Sequence, residues 1–274
     1  MTPGENPETG NVDTPFIDEL YAPEKLTLEY GERASELWKH TFSRFEIDWT
    51  GKKVLDFGCL WGYLSKFLVE NKEVSEAYGV DILPIWEHMS DVWDYKSIPN
   101  LHLLAGNIVE LEELQDMKFD IFTSAGTMFL LSPSTLEEVL IWMYNHLHPG
   151  GSAVFRTRTF FSHMGGDLHN DTKVPLPHLL FPRHIIDDFL QEASGFPSGY
   201  MSPMSSASYL MLFHRVGFEI IDVVKFSSGV KDKDVYSMFQ DKLWFYNKDE
   251  LNTGEIIVHL KKPIVERDIS ELEV

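Results

Sequence analysis

The sequence predicts an α/β fold, a mostly parallel sheet with helices on both faces. Three observations carry this. Val54-Leu55-Asp56-Phe57 reads as a buried strand running into the turn Gly58-Cys59-Leu60-Trp61-Gly62, with a helix expected over Tyr63 to Val69. Strand and helix signals then alternate as strand–helix–strand units through residue 158, the pattern of a parallel sheet. Regular pattern returns at Ser205 to Arg215, a helix ended by Gly217, followed by a strand over Phe218 to Val224.

The N-terminal stretch MTPGENPETGNVDTP has neither a basic nor an apolar region. It is expected to be a disordered tail over residues 1–15 and not a secretory signal. Residues 16 to 46 look helical, with Leu20, Tyr21, Leu26, Leu28, Tyr30, Ala34, Leu37 and Trp38 spaced for one apolar face. The first strand ends in a glycine turn that feeds a helix N-terminus, the place where α/β sheets bind nucleotide-like ligands. Its pattern is Asp-x-Gly-x-x-x-Gly. A dinucleotide turn needs closely packed glycines for a pyrophosphate, whereas this turn starts with a carboxylate and suits a ligand with a positive end. Further strands are expected at Ala77 to Asp81, Leu101 to Leu104 and Phe119 to Ala125. Ser134 to Asn145 reads as a helix with Ser134 as cap and Glu137 three residues on, a capping box. A turn at Leu147-His148-Pro149-Gly150-Gly151 leads into a strand over Ser152 to Arg156.

Composition excludes several classes. The chain carries 43 acidic against 23 basic residues, a formal net charge of −20. That argues against nucleic acid, whose phosphates want Lys and Arg, and against an anionic membrane surface. No run of about 18 apolar residues is present, so no membrane span is expected. The single cysteine rules out an internal disulfide and fits a reducing compartment, so a cytoplasmic protein is expected.

The segment VLDFGCLWGYLS, with the strand ends that follow it, resembles the first motif of class I S-adenosylmethionine-dependent methyltransferases of the small-molecule type. The resemblance covers about residues 50 to 158 and resumes near 204. It implies a Rossmann-like, seven-stranded, mostly parallel sheet, closed by a hairpin of the Phe218 strand with Glu255 to Leu260. It also implies S-adenosyl-L-methionine as cofactor and S-adenosyl-L-homocysteine as product. By the resemblance, Asp56, Gly58, Cys59 and Gly62 hold the methionine half of the cofactor, and Asp81 binds both ribose hydroxyls. Asn107 faces the adenine amino group, a bond that its carbonyl oxygen can accept. Ile82, Ile108 and Ser124 complete the assigned set. Cys59 itself reads as a small buried filler, not a catalytic thiol. Residues 16–48 resemble a helical cap, in which Tyr30 either closes over the cofactor carboxylate or simply packs.

The expected organisation is one domain over residues 16–262: the cap, a core over 49–158 and 204–262, and an insertion over 159–203. An acidic tail at 263–274 follows. The insertion holds four of the eleven histidines and five of the fourteen prolines, so it cannot be one regular element. It follows the fifth strand, above the ligand crevice, and reads as a substrate-binding cover. Its cluster Gly165-Gly166-Asp167-Leu168-His169-Asn170-Asp171 offers His169 as general base, oriented by Asp167 or Asp171, with His178 as second candidate. Asp167, Asn170 and Asp171 are also oxygen ligands of the kind a hard cation takes, or plain turn caps. No metal is assigned, and no Cys/His pairing has zinc-ligand spacing. Aromatics between Lys225 and Asn252 either line a substrate pocket or pack a helix on the sheet. Arg156 and Arg158 share one strand face, free to meet an acidic substrate group or a carboxylate of the chain. His214 reads as a packing histidine on its helix.

The expected activity is methyl transfer to a small-molecule acceptor, a hydroxyl of a glycosyl group or secondary metabolite, by a monomer or homodimer. Methylation of a small amine, or a catalytically silent cofactor-binding regulator, are the competing readings. An NAD-dependent oxidoreductase is disfavoured by the glycine pattern.

Overall fold

The structure is a computed structural model that describes residues 29–89, 94–163, 174, 176–194, 201–228 and 240–264. In chain order the elements are α1 (Glu29–His40), β1 (Lys53–Phe57), α2 (Tyr63–Lys72), β2 (Glu76–Asp81), β3 (Leu101–Ala105), β4 (Phe119–Ala125), α3 (Pro133–His146) and β5 (Leu147–Arg158). The short helices α4 (Pro177–Leu180) and α5 (Arg183–Ser194) follow, then α6 (Ser206–Val216), β6 (Glu219–Ser227), α7 (Gln240–Leu243), α8 (Lys248–Leu251) and β7 (Thr253–Lys261). The strands form one seven-stranded sheet in the order β3-β2-β1-β4-β5-β7-β6. β1 to β5 pair in parallel, and β7 runs antiparallel between β5 and β6. This is the mostly parallel sheet, with its closing hairpin, that the sequence predicts.

The central strands are buried on both faces, which is why they read as continuous apolar runs. Successive residues serve opposite layers. Val54 of β1 and Ile257 of β7 enter one core with Leu64 and Leu68 of α2. Leu55 and Val258 enter the other, with Leu140 and Met143 of α3 and Leu212 and Phe213 of α6. Helix α1 lies against α2. Its Trp38 ring meets Trp49 edge-on at 4.9 Å and the Phe67 ring at 5.7 Å.

Three expectations shift. The cap of helix α3 lies two residues before the expected one: Ser132 is the N-cap, accepting from the Thr135 amide at 3.1 Å, because Pro133 is preset for the first helical position. No capping box forms, and Glu137 instead pairs with Arg215 of α6 at 2.8 Å. His214 is exposed on the outer face of α6 and packs in neither core. Among the described residues after β6, the aromatics do not pack a helix on the sheet: Tyr246, with Leu243, joins Phe160, Phe161 and Leu180 in a small separate cluster, while Trp244 and Phe245 stay exposed.

Candidate active site at the carboxyl edge of the sheet

The turn after β1 is built from left-handed backbone. Gly58, Leu60 and Gly62 have φ of 72°, 49° and 74°. Only glycine takes this region at little cost, so Leu60 is held there by its surroundings. The amides of Gly58 and Cys59 both donate to the Val80 carbonyl, at 2.8 and 3.1 Å, and the Leu60 amide donates to Asp81 Oδ2 at 2.9 Å. The end of β2 therefore shapes the turn. The glycines answer first to the chain itself. A Cβ on Gly58 would sit 1.8 Å from Thr127 Oγ1, and one on Gly62 would sit 2.8 Å from Leu103 Cδ1. Gly79, beside Asp56 in the β1–β2 register, leaves room in the same way for Ser65 and Cys59.

A cavity of about 230 Å³ opens at this turn, lined by Ala34 and Leu37 of α1 together with Asp56, Gly58, Leu60 and Tyr63. Asp56 is only 3% exposed. Its carboxylate accepts from Thr123 Oγ1 at 3.0 Å and from Ser65 Oγ at 3.1 Å. Burial pushes its pKa up to about 7; the two hydroxyls oppose that rise, and the Asp81 carboxylate adds to it. Asp81 is also pushed up by burial, against the amides of Leu60, Leu83 and Ile82 that hold its charged form. No cation among the described residues offsets either acid. Beside Asp81, Ile82 presents a side chain that is 71% exposed. A larger cavity, about 310 Å³, lies at the opposite edge of the sheet among Asp120, Gly150 and Lys261. The carboxyl edge is preferred as the site because ligands of such sheets bind outside the carboxyl ends of the strands.

The other residues singled out from sequence fall into three groups. Asn107 is exposed at the end of β3, where its Oδ1 accepts from the Val109 amide at 3.2 Å and keeps a second lone pair for a ligand. Ile108 and Ser124 have buried side chains. Ile108 is 1% exposed and packs in the core, and Ser124 Oγ donates to the Phe57 carbonyl at 2.9 Å between strands. Cys59 is a buried filler, its thiol pushed well up by burial and the nearby carboxylates. Tyr30 lies in α1, but its side chain is outside the described set, as are His169, Asp171, Asp167 and Asn170.

His178 is described. It starts α4 beside the end of β5, with Nε2 2.5 Å from the Phe160 carbonyl. A carbonyl only accepts, so Nε2 carries the hydrogen and Nδ1 the lone pair. Nδ1 is buried and has no partner among the described residues. Burial lowers the pKa to about 4. The segment that holds His178 is tied back to the turn. The Phe160 amide donates to the Met204 carbonyl and the Ser202 amide to the Phe129 carbonyl, both at 2.8 Å. Phe129 follows Thr127, which packs on Gly58. Arg156 is paired within the chain, its guanidinium on Glu255, and the Arg158 guanidinium lies 5.0 Å from the Phe129 ring centre.

The sequence reading missed Ser65, Thr123 and Thr127. Ser65 had a usable signal, since it falls three residues after Gly62 at the start of a helix. Thr123 is brought to Asp56 only by the β1–β4 register, which the sequence does not print.

The sequence matches the methyltransferase domain family over residues 30–223. No curated protein matches it. Among solved structures, an S-adenosylmethionine-dependent methyltransferase from Mesorhizobium loti is similar at 15% identity and a TM-score of 0.53, over 82% of this chain and 97% of that one. One from Listeria monocytogenes is similar at 16% identity and a TM-score of 0.55, over 85% and 99%. The [4+2]-cyclase SpnF is similar at 16% identity and a TM-score of 0.52, over 86% and 81%. At these identities the likeness speaks for the fold. With the family match, the strand order and the acid-lined turn, the chain belongs to the class I S-adenosylmethionine-dependent methyltransferases. The cofactor is S-adenosylmethionine, and the donor set fits it: a cationic ligand meets the buried Asp56 carboxylate and the half-buried Asp81, with no counter-ion among the described residues.

Proposed function

We propose that the protein methylates a hydroxyl of a small-molecule acceptor, on a glycosyl group or a secondary metabolite, with a cover histidine as base. The observation that carries this reading is the buried Nδ1 of His178 beside the end of β5, which has no partner among the described residues. An amine acceptor brings its own lone pair, whereas a hydroxyl must lose a proton as it attacks.

When bound, S-adenosylmethionine supplies a methyl group on an activated sulfur, open to in-line displacement. The chain's part is to bind, to align and to take the proton. Asp81 is placed to accept from ribose hydroxyls, using the lone pairs that Leu60 and Leu83 leave open. Ile82 offers an apolar surface next to it. Alignment in a water-poor cleft can supply roughly 7–11 kcal/mol of the barrier. His178 stays neutral above about pH 5, because its buried ring resists charge. Its Nδ1 can take the acceptor's proton as the oxygen loses it, and the Phe160 carbonyl holds the ring in that tautomer. His169, with Asp171 to orient it, is the other base this reading admits. Cytoplasmic action fits the single cysteine, and no helix among the described residues is long and apolar enough to cross a membrane.

The test compares His178→Ala with His169→Ala under saturating cofactor, using glycosides and small phenols as acceptors. Loss of the base should lower turnover about 10²–10⁴-fold with cofactor affinity unchanged. Normal turnover in both variants would contradict the proposal.

A further inference from the structure

The strand order divides the carboxyl edge in two. β1, β2 and β3 bring Asp56, Asp81 and Asn107 to one side, and β4 and β5 lie on the other. An open sheet of this kind takes its ligands where the strand order reverses. The cofactor residues occupy the β1 side, which leaves the segments after β4 and β5 to an acceptor.

Three segments meet there: Phe129 after β4, Phe160 after β5, and residues 201–204 ahead of α6. The Ser202 amide donates to the Phe129 carbonyl, and the Phe160 amide donates to the Met204 carbonyl, both at 2.8 Å. The Phe160 carbonyl in turn accepts from His178 Nε2. Ser202 and His178 therefore share one scaffold, with Ser202 at most roughly 7 Å of extended chain from Met204.

Ser202 is 1% exposed, and its Oγ has no hydrogen-bond partner among the described residues. Other hydroxyls nearby in the chain are engaged. Thr159 Oγ1 donates to the Thr253 carbonyl at 2.5 Å, and Ser206 Oγ donates to Glu250 at 3.1 Å. A buried hydroxyl left alone loses the bonds it had in water, so it calls for a partner from outside the chain. His178 Nδ1 is a second buried polar atom in the same condition. Nδ1 offers only a lone pair, whereas a serine hydroxyl both donates and accepts. Together they suit two neighbouring oxygens of one ligand.

We propose that Ser202 is a specificity-determining residue that binds the second oxygen of an acceptor with two adjacent hydroxyls, while the first is methylated. The inference rests on the hydroxyl-acceptor reading above. The reacting oxygen forms the bond to the methyl carbon, its proton passes to His178 Nδ1, and the sulfur keeps the electron pair of the broken bond. Ser202 makes no covalent bond. Its hydrogen bond selects the dihydroxy compound and sets which oxygen faces the methyl group.

Initial rates of the full chain at saturating S-adenosylmethionine test this, with catechol set against phenol and the adjacent diol of cyclohexane against cyclohexanol. The wild type should favour the dihydroxy member in kcat/KM. Ser202→Ala should lower kcat/KM on that member about three- to tenfold, as loss of one hydrogen bond does, and leave the monohydroxy member unchanged. Its thermal midpoint should stay level or rise, because the free protein loses no bond. Ser228→Ala removes another buried hydroxyl without a described partner, one packed against Gly254, and should change neither rate. No dihydroxy preference in the wild type, equal losses on both members in Ser202→Ala, or the same loss in Ser228→Ala overturns the inference while the hydroxyl-acceptor reading stands. Methylation of none of the four probes overturns both.

Discussion

At the scale of single residues, the site is a compromise between folding and binding. Asp56 has a folded pKa of about 7 against an ordinary value of 3.8. The folded state therefore holds its proton more tightly than the unfolded chain. Its contribution to stability is fullest below about pH 4 and is lost as pH rises toward 7. Asp56→Asn should make the ligand-free protein more stable than wild type at pH 8, on the order of a few kcal/mol, with the gap closing by pH 4. Thermal melts across that range check this, and a constant gap would contradict it. Gly58 shows the opposite pressure. Gly58→Ala puts a methyl into Thr127 on a left-handed backbone and should cost about 1–3 kcal/mol in denaturant midpoint, before any ligand is present. Asp56, Asp81 and the glycines could be read directly from the sequence, because a strand running into a glycine turn announces itself. The partners that tune them could not, since Ser65, Thr123 and Thr127 arrive from separate elements through register and loop packing.

At the scale of elements, burial on both sheet faces made the strands legible. β4 was expected over Phe119 to Ala125 and spans those residues, and α6 with its Gly217 cap stands within a residue of its expected place. The start of α3 was less legible, because three hydroxyl residues crowd Pro133. Ser132→Ala should cost about 1 kcal/mol, as a lost N-cap does, while Ser134→Ala should cost little. Equal effects of the two would contradict the assigned cap. The aromatics after β6 misled because aromatic spacing does not say which surface is met. Among those described, Tyr246 joins a small cluster around Phe161 and Leu180, and Trp244 and Phe245 stay exposed, instead of forming a second layer on the sheet.

At the scale of the whole molecule, one edge of the sheet gathers the described residues assigned to the site. The turn after β1, Asp81 after β2, Asn107 after β3 and the segment after β5 meet at the carboxyl edge. The likeness to a [4+2]-cyclase is one of fold and does not choose a reaction, so the proposed acceptor and base are assigned to the segment after β5 as part of the proposal. The cover is where the sequence says least. Its prolines and glycines exclude a single regular element without choosing a shape, and the structure places the separate helices α4 and α5 there. The two candidate bases make different pH profiles. With His178 as base, turnover should be level above about pH 5 and fall only toward pH 4, since the buried ring must be neutral to accept a proton. An exposed His169 with an ordinary pKa would make turnover rise through about pH 6.5.

The central claim, that the acid-lined turn at the carboxyl edge holds S-adenosylmethionine, is tested most directly by calorimetric titration of the wild type and Asp81→Ala with S-adenosylhomocysteine. Asp81 also anchors the Leu60 amide, so Asp81→Asn, which can keep one of its two backbone bonds, belongs beside it. One binding site per chain is expected in the wild type, with affinity weakened by roughly 1.5–3 kcal/mol in Asp81→Ala, the range for hydrogen bonds to a charged group. No binding by the wild type, or affinity unchanged in both variants, would place the cofactor elsewhere and contradict the account.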